Sequence, residues 1–450
     1  MRNKEKKIEK FPKGIITPPP SKSISHRAVI CAALAGSGTS EKNTMRQGLL
    51  RSAPRAVSSG EFGAGKCPAS AFSFDSESVI RNLSLSDDVE ATLGGVEILG
   101  AEWFIEDKNL FVRAGKRQQN NIINCKESGS TLRFLIPVAA LSEEETVFKG
   151  KGRLLIRPMD VYDLAFEGTP VKFYHTKREL RVRGPLRGGA YFVPGDVSSQ
   201  FISGLLFALP LTRENSEIHL STSLESRQYV NLTLDVMRSF GVEVEESEYA
   251  FYIKGRQAYR PCVYTVETDF SQAAFFLGAA ALGLDVKCAG LNNRSRQGDM
   301  VILKILEKMG AIVSWDRGVV SVHAEKLHGI IMDARENPDL VPPVAVLCSL
   351  CEGESRIINA GRLRLKESDR LRALTEELTK LGGQIKETAD SLLIKGVPML
   401  KGGRVDAHND HRIAMSMALA AIRSSDPVIL SGWSSVSKSY PDFWNDFEQS

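Results

Sequence analysis

The sequence predicts an α/β protein with two similar domains. One observation is a pattern that recurs six times at intervals of about 70 residues, in the order helix, strand, helix, strand, strand. The other is length, because 450 residues are too many for one hydrophobic core and predict two or three domains. Three units in each half of the chain give two domains with the same arrangement.

The first helix of each unit follows a cluster of Ser, Asp, Asn, Gly or Thr, the residue types that cap helix N-termini. The opening example is Ser21, with Lys22 and Arg27 in the first turns of the helix. The N–H groups and the dipole of a helix N-terminus attract anions, and these two cations add to that attraction. We therefore expect a phosphate or carboxylate to bind here, although an ordinary capped helix with a solvated lysine has the same pattern. The remaining first helices start near Ser128, Asp196, Asp269, Asp339 and Asn409.

The second helix of each unit is amphipathic, and all but the last end at a glycine before two alternating strands. The sixth unit has no hairpin after this helix. We expect residues 8–11 and 14–17 to supply its missing strands, so that the domains comprise 21–266 and 1–20 with 267–450. The second helices start near Asp87, Arg157, Arg227, Gln297, Glu367 and Lys438.

One interval departs from the repeat. The distance between the first two polar clusters exceeds the others by roughly 37 residues, which indicates an insertion. Residues 40–76 are rich in Ser, Gly, Ala, Pro and Arg and have no clear periodicity. We expect them to form an irregular surface excursion that carries no chemistry.

The composition is that of a soluble globular protein, with 42% hydrophobic and 25% charged residues. A net charge of only +4 gives no argument for nucleic acid as a partner. The apolar stretches are too short to span a bilayer, and the charged N-terminus lacks the apolar core of a secretory signal. We expect a cytoplasmic protein without a membrane partner. Seven scattered cysteines, an odd number, indicate reduced thiols.

If the six units are equivalent, their first helices point the same way and several positive N-termini converge on one cleft between the domains. Each basic residue near a helix start could be a solvated or structural charge, but their recurrence at equivalent positions favours a site for anionic ligands. Motifs for phosphate loops, hydrolase elbows and zincins are absent, so no metal or cofactor is implied. These basic residues are Lys22, Arg27, Arg133, Arg157, Arg227, Lys366, Arg370, Arg412 and Lys438.

Several short motifs make the chain similar to the 5-enolpyruvylshikimate-3-phosphate synthase family. The resemblance covers essentially everything outside the insertion. It implies the fold of the enolpyruvyl transferases, in which two domains of three βαβαββ units each form an inside-out α/β barrel and close on the substrates. The motifs are Ser21-Lys22-Ser23-Ile24-Ser25-His26-Arg27, Ser128-Gly129-Ser130-Thr131-Leu132-Arg133, Arg157-Pro158-Met159, Ser198-Ser199-Gln200, Lys366-Glu367-Ser368-Asp369-Arg370, Asn409-Asp410-His411-Arg412 and Lys438-Ser439-Tyr440-Pro441-Asp442.

The resemblance implies transfer of the enolpyruvyl group of phosphoenolpyruvate to the 5-hydroxyl of shikimate 3-phosphate, with release of phosphate, by a monomer that needs no cofactor. Cations and N–H dipoles would cancel the repulsion between two anionic substrates. By similarity, the residues for shikimate 3-phosphate are Lys22, Ser23, Arg27, Ser198, Ser199, Gln200, Ser226, Asp339 and Lys366. By similarity, the residues for phosphoenolpyruvate are Lys22, Gly129, Arg157, Gln200, Arg370, Arg412 and Lys438.

Three residues are expected to carry the addition and elimination steps. Asp339, which could otherwise be a simple N-cap, would accept the proton of the attacking hydroxyl. Glu367 would donate a proton to the methylene carbon, with a pKa raised by the neighbouring ligand anions. Lys22 would stabilise the developing charge.

The sequence departs from the family pattern at three positions. Pro20 stands where glycine is usual, at the expected hinge, and Arg362 stands where many members have an asparagine that contacts phosphate. Glu127 replaces the more common asparagine before the Ser-Gly-Ser-Thr segment. We expect the change at Glu127 to affect sensitivity to glyphosate but not activity.

Two other functions fit parts of the pattern. The related enolpyruvyl transferase that acts on UDP-N-acetylglucosamine shares the fold and the donor, but it typically has Lys-Asn where Lys22 and Ser23 stand here. A non-catalytic anion-binding or RNA-binding protein could use the same scaffold. The basic residues cluster at helix starts and are not interleaved with aromatic residues, which argues against RNA.

Overall fold

The computed structural model describes residues 5–36 and 77–448. The predicted insertion at 40–76 lies outside the described residues. In the described ranges, no helix is both long enough and apolar enough to cross a bilayer.

Helices and short strands alternate along the described chain. The helices are α1 (Lys22–Leu34), α2 (Asp87–Ile98), α3 (Gly129–Ala139), α4 (Asp160–Phe166), α5 (Ser199–Ala208), α6 (Arg227–Ser239), α7 (Phe270–Ala281), α8 (Ile302–Lys308), α9 (Val341–Ser349), α10 (Arg370–Lys380), α11 (His411–Ala421) and α12 (Phe443–Phe447). The strands are β1 (Lys6–Ile8), β2 (Gly14–Ile16), β3 (Ser78–Arg81), β4 (Ala101–Glu106), β5 (Asn109–Ala114), β6 (Ile122–Asn124), β7 (Thr146–Lys149), β8 (Lys172–His175), β9 (Leu180–Arg183), β10 (Ala190–Val193), β11 (Ser216–Leu220), β12 (Glu245–Glu246), β13 (Ala250–Ile253), β14 (Val263–Thr265), β15 (Val286–Ala289), β16 (Ile312–Asp316), β17 (Val319–His323), β18 (Ile331–Asp333), β19 (Glu354–Ile358), β20 (Gln384–Glu387), β21 (Leu392–Lys395), β22 (Gly403–Asp406) and β23 (Val428–Ser431).

Within the described residues these strands form six sheets of one design. In the second unit the order is β6-β7-β9-β8, with a parallel pair at one edge and antiparallel pairs beyond it. The same order recurs as β14-β3-β5-β4, β10-β11-β13-β12, β2-β15-β17-β16 and β18-β19-β21-β20, and in the shorter sheet β22-β23-β1. This repetition of the βαβαββ unit confirms the predicted fold class.

The two N-terminal strands enter different sheets. Strand β1 pairs antiparallel with β23 in the sixth unit, as expected, but β2 pairs in parallel with β15 in the fourth. The prediction that both strands would complete the sixth unit was therefore wrong for β2. The reason is that β14, which precedes the fourth unit in the chain, pairs with β3 in the first unit, so the fourth unit takes its leading strand from the N-terminus.

The buried apolar side chains form two clusters. One contains Ile8, Ile16 and residues between 270 and 447, and the other contains residues between 24 and 266. The first helix of each unit lies at the centre of its cluster: every residue of α7 and of α11 is buried, for example. A helix that is buried on all sides needs small and apolar residues around its whole circumference, which explains the Ala-rich composition of these segments.

The described chain passes between the two clusters at two places that lie side by side. Pro20 and Thr268 form an isolated antiparallel bridge. The N–H of Ser21 donates to the carbonyl of Glu267 at 2.7 Å, and the N–H of Asp269 donates to that of Pro19 at 2.9 Å. The two crossings are thus hydrogen-bonded to each other directly before α1 and α7.

Candidate active site

A cavity lies between the two halves, at the N-terminal ends of the first helices. Ser21 and Ser128 are the N-caps of α1 and α3 on one side, and Asp410 is the N-cap of α11 on the other. The predicted convergence of positive helix ends is therefore present in the described structure. Of the predicted site residues, those that line the cavity are Lys22, Ser23, Arg27, Gly129, Arg157, Ser198, Ser199, Gln200, Ser226, Asp339, Lys366, Glu367, Arg370 and Arg412.

The N-terminal half contributes cations and hydroxyl groups. The ammonium of Lys22 contacts the carboxylate of Asp88 at 2.8 Å. Arg27 is buried and donates to the hydroxyl of Thr233 and to the carbonyls of Ser23 and Tyr229, all at 2.7 to 2.8 Å. Its guanidinium is therefore fixed in direction before any ligand binds.

A glutamine joins two of the helix ends in this half. Gln200, in the first turn of α5, accepts a hydrogen bond from Arg133 at 2.7 Å and donates one to the hydroxyl of Ser130 at 2.9 Å. A side chain at Gly129 would place its Cβ 3.0 Å from a guanidinium nitrogen of Arg157. The absence of a side chain there lets Arg157 lie close to the N-terminus of α3.

The C-terminal half contributes a network centred on Arg370, whose side chain is 2% exposed. Its guanidinium donates to Asp410 at 2.8 Å, to Glu367 at 2.9 Å and to Asp339 at 3.1 Å. Arg412 also contacts Asp339, at 2.8 Å. The two carboxylates with expected catalytic roles are therefore both held by arginines. These contacts are buried, so Arg370 is not a solvated surface charge.

The pKa of Glu367 is lowered by the arginines around it. Burial raises the pKa of Glu367, but the positive charges of Arg157 and Arg370 outweigh burial and hold it well below its usual range. One oxygen of Glu367 lies 3.5 Å from Arg157. The rise expected from neighbouring ligand anions stays a prediction, because the charged neighbours that dominate here are the cations Arg157 and Arg370.

The pKa values of Asp339 and Lys366 are shifted by burial and by the charge of the other residue. Burial acts to raise the pKa of Asp339, yet Arg412 and Lys366 lower it well below its usual range. Burial lowers the pKa of the Lys366 ammonium to about 8, against the opposing effect of Asp339. A lysine with this pKa changes charge within the range in which enzymes are assayed.

Lys438 is the predicted site residue that does not line the cavity. Its ammonium contacts the carboxylate of Glu127 at 2.8 Å and the carbonyl of Asn409 at 2.6 Å. Arg362 does line the cavity, where it contacts Glu225 at 2.6 Å and donates to the hydroxyl of Ser226 at 3.1 Å. Arg362 is therefore held by protein groups in the cavity wall.

Sequence reasoning missed two residues of the cavity wall. Asp88 is buried in the first turn of α2, where an acidic residue is an ordinary helix-start feature, so its contact with Lys22 had no distinct signal. Tyr229 lies on α6 one turn after Ser226, and burial raises the pKa of its phenol well above the usual value. The spacing from Ser226 was the signal that could have found it.

Comparison with known proteins agrees with this site. The family model described as EPSP synthase (3-phosphoshikimate 1-carboxyvinyltransferase) matches residues 70–447. The chain belongs to this family. It is therefore a transferase of aromatic amino acid biosynthesis by the shikimate pathway, and the family uses shikimate 3-phosphate and phosphoenolpyruvate as substrates. Neither the UDP-sugar transferase nor the non-catalytic binding protein is favoured.

Curated relatives and solved structures agree. A 3-phosphoshikimate 1-carboxyvinyltransferase of Clostridium acetobutylicum is 42% identical over 97% of this chain and 95% of its own length. The enzyme of that name from Clostridium novyi is 43% identical, over 97% and 94%. The solved EPSP synthase of Acinetobacter baumannii has a TM-score of 0.74 at 23% identity, over 98% of this chain and 96% of its own, which shows a shared fold.

Proposed function

We propose that the cavity between the two halves binds both substrates and that its residues carry out the transfer. The observation that carries this proposal is the convergence of Lys22, Arg157, Lys366 and Arg412 on one space that is also lined by carboxylates, among them Asp339 and Glu367. Two anionic substrates repel each other, and a ring of cations is the simplest means to hold them together.

Shikimate 3-phosphate is assigned to the hydroxyl-rich wall. Ser198 and Ser199 lie at the start of α5, and Ser23 lies in the first turn of α1, so each can donate a hydrogen bond toward a phosphate or a ring hydroxyl. Phosphoenolpyruvate is assigned to the wall formed by Arg157 and Arg412. It also contacts Lys438 once that residue has left its contact with Glu127. The complete sets of binding residues proposed for the two substrates are those that the family resemblance implied.

The chemistry begins with an addition. The 5-hydroxyl oxygen attacks C2 of phosphoenolpyruvate, its proton passes to Asp339, and C3 receives a proton from Glu367. Lys22 stabilises the charge that develops. In the elimination, C3 gives a proton back to the Glu367 carboxylate, the double bond between C2 and C3 forms again, and the bond from C2 to the phosphate oxygen breaks, so that phosphate leaves.

The bound substrates supply the pKa values that these steps require. Arg412 holds the pKa of Asp339 low in the unliganded protein, and Arg157 and Arg370 do the same for Glu367. Ligand phosphates and carboxylates that take up these arginines weaken their effect on both side chains. The pKa of each carboxyl then rises, which makes Asp339 a stronger base and increases the fraction of Glu367 that is protonated and able to donate.

The remaining assignments belong to the same proposal. The two domains comprise 21–266 and 1–20 with 267–450, and the paired crossings at Pro20 and Thr268 are the hinge. The protein is a cytoplasmic monomer that binds small anions and no nucleic acid.

The test is a phosphate-release assay with both substrates together and each alone. Release only when shikimate 3-phosphate and phosphoenolpyruvate are both present supports the proposal. Release when UDP-N-acetylglucosamine replaces shikimate 3-phosphate would move the assignment to the related transferase. No release with any pair would leave a binding role.

A further inference from the structure

A glutamate from the N-terminal half holds a cation of the C-terminal half. Glu127 follows Lys126, which has a left-handed backbone (φ 48°), and directly precedes the N-cap of α3. One of its oxygens lies 2.8 Å from the ammonium of Lys438, and both accept from the amide of Asn409 at 3.0 Å.

Glu127 and Lys438 are both largely withdrawn from solvent, with 20% and 10% of their side chains exposed. The carbonyl of Asn409 accepts a second hydrogen bond from the same ammonium, at 2.6 Å. Lys438 is therefore neutralised by protein groups, whereas Arg157 and Arg412 face the cavity. The carboxylate of Glu127 thus occupies the Lys438 ammonium, which an acid group of a ligand could otherwise contact.

We propose that Glu127 is an affinity-determining residue that competes with the acid group of phosphoenolpyruvate for Lys438. This inference rests on the proposed assignment of Lys438 to phosphoenolpyruvate. The substrate has to displace the Glu127 carboxylate before Lys438 can contact it, so part of the binding free energy is lost in breaking the existing pair. Lys438 enters the cavity only once that exchange has occurred.

A neutral asparagine at position 127 cannot compete in this way, because an amide does not neutralise an ammonium. The expectation that Glu127 leaves activity unaffected is therefore replaced by an expectation of weaker binding of phosphoenolpyruvate. Shikimate 3-phosphate is not affected, since its assigned residues make no contact with Glu127.

Glu127 also bridges the two halves through Asn409, so its loss could act by weakening the contact between them. The variant Glu127→Gln separates these roles. Its amide oxygen still accepts from Asn409, but the negative charge that holds Lys438 is gone. Competition predicts tighter binding of phosphoenolpyruvate in this variant, whereas a role confined to the bridge with Asn409 predicts unchanged binding, because the glutamine keeps that bridge.

The experiment measures KM for each substrate in full-length variants. In Glu127→Gln, we expect KM for phosphoenolpyruvate to fall about fivefold, the equivalent of a partly exposed ion pair, with kcat and KM for shikimate 3-phosphate nearly unchanged. The matched control is Glu90→Gln, which removes a carboxylate 2.7 Å from Lys126 and should change neither constant. Thermal unfolding of both variants checks that the fold is intact.

A second pair of variants separates this inference from the site assignment. Lys438→Met should raise KM for phosphoenolpyruvate by about tenfold or more, and Glu127→Gln should give no gain in that background. If Lys438→Met has no effect, the assignment of Lys438 is wrong. If Lys438→Met acts as expected but Glu127→Gln leaves KM unchanged or raises it, the assignment stands and the competition is refuted.

Discussion

Replacement of Arg370 by methionine should destabilise the C-terminal half strongly. Arg370 is almost fully buried, and its guanidinium is the shared partner of Asp410, Glu367 and Asp339. Removal of one partner from a buried ion pair costs about 3 to 5 kcal/mol, because it leaves an uncompensated charge. Asp410 has a side chain with 0% exposure, so solvent cannot replace the arginine there.

The loss of stability can be measured by urea unfolding, with tryptophan fluorescence as the signal. Trp315, Trp433 and Trp444 all belong to the C-terminal apolar cluster, so the signal reports mainly on that half. With an m-value of about 3 kcal/mol per M, the midpoint of Arg370→Met should fall by about 1 to 1.7 M. Arg372→Met is the matched control: its side chain is 68% exposed and pairs with Glu376 on the same helix, which predicts a shift of about 0.2 M or less.

The pH dependence of stability is a second test of the role of Arg370, and the pKa shifts of the neighbouring carboxyls fix its direction. Arg370 holds the pKa of Asp410 and of Glu367 below their usual values, against the effect of burial. Depressed carboxyl pKa values contribute stability that is present above about pH 4 to 5 and is lost as the pH falls. The stability difference between wild type and Arg370→Met should therefore stay constant from pH 7 to about pH 5 and narrow as the pH falls below about 4. Equal midpoints for Arg370→Met and Arg372→Met at pH 7 would refute the reasoning.

Two further predictions concern the reaction. Glu367→Gln and Lys22→Met should each lower kcat by about 10²-fold or more, the scale of a lost acid–base or electrostatic group, while Glu376→Gln on the exposed face of α10 should leave it unchanged; near-normal rates for both variants would contradict the assigned roles. Because burial lowers the pKa of Lys366 to about 8, KM for shikimate 3-phosphate should rise as the pH increases through that value, and Lys366→Arg should abolish the rise. A pH-independent KM in wild type would argue against a phosphate contact from Lys366.

Much of the fold could be predicted because its repeat is visible as a chemical pattern. Polar residues before four of the first helices, Ser128, Ser198, Asp269 and Asp410, cap the helix N-terminus, and the small apolar residues that follow them are buried. Strand pairing was harder to predict, because β2 has only three residues and their sequence does not indicate which sheet the strand joins. Its partner became clear only once β14 was found in the first unit.

The residues that line the site could be predicted better than the charges that surround each of them. A motif identifies Glu367 and Arg370 as neighbours in sequence, but the charge around Glu367 depends on Arg157, which lies in the other half of the chain. The same limit applies to Glu127 and Lys438, which are 311 residues apart. Contacts of this kind arise from the way the two halves meet, and no local pattern records them.

The exchange of strands between units also constrains how the protein is made. Lys6 of β1 pairs with Leu430 of β23, so β1 has no partner until β23 has been synthesised. Strand β2 must likewise wait for Val286 to Cys288. The 21–266 segment can collapse on its own apolar side chains during translation, whereas the other half is completed only at the end. Truncation near the C-terminus should therefore leave unpaired backbone at both ends of the polypeptide.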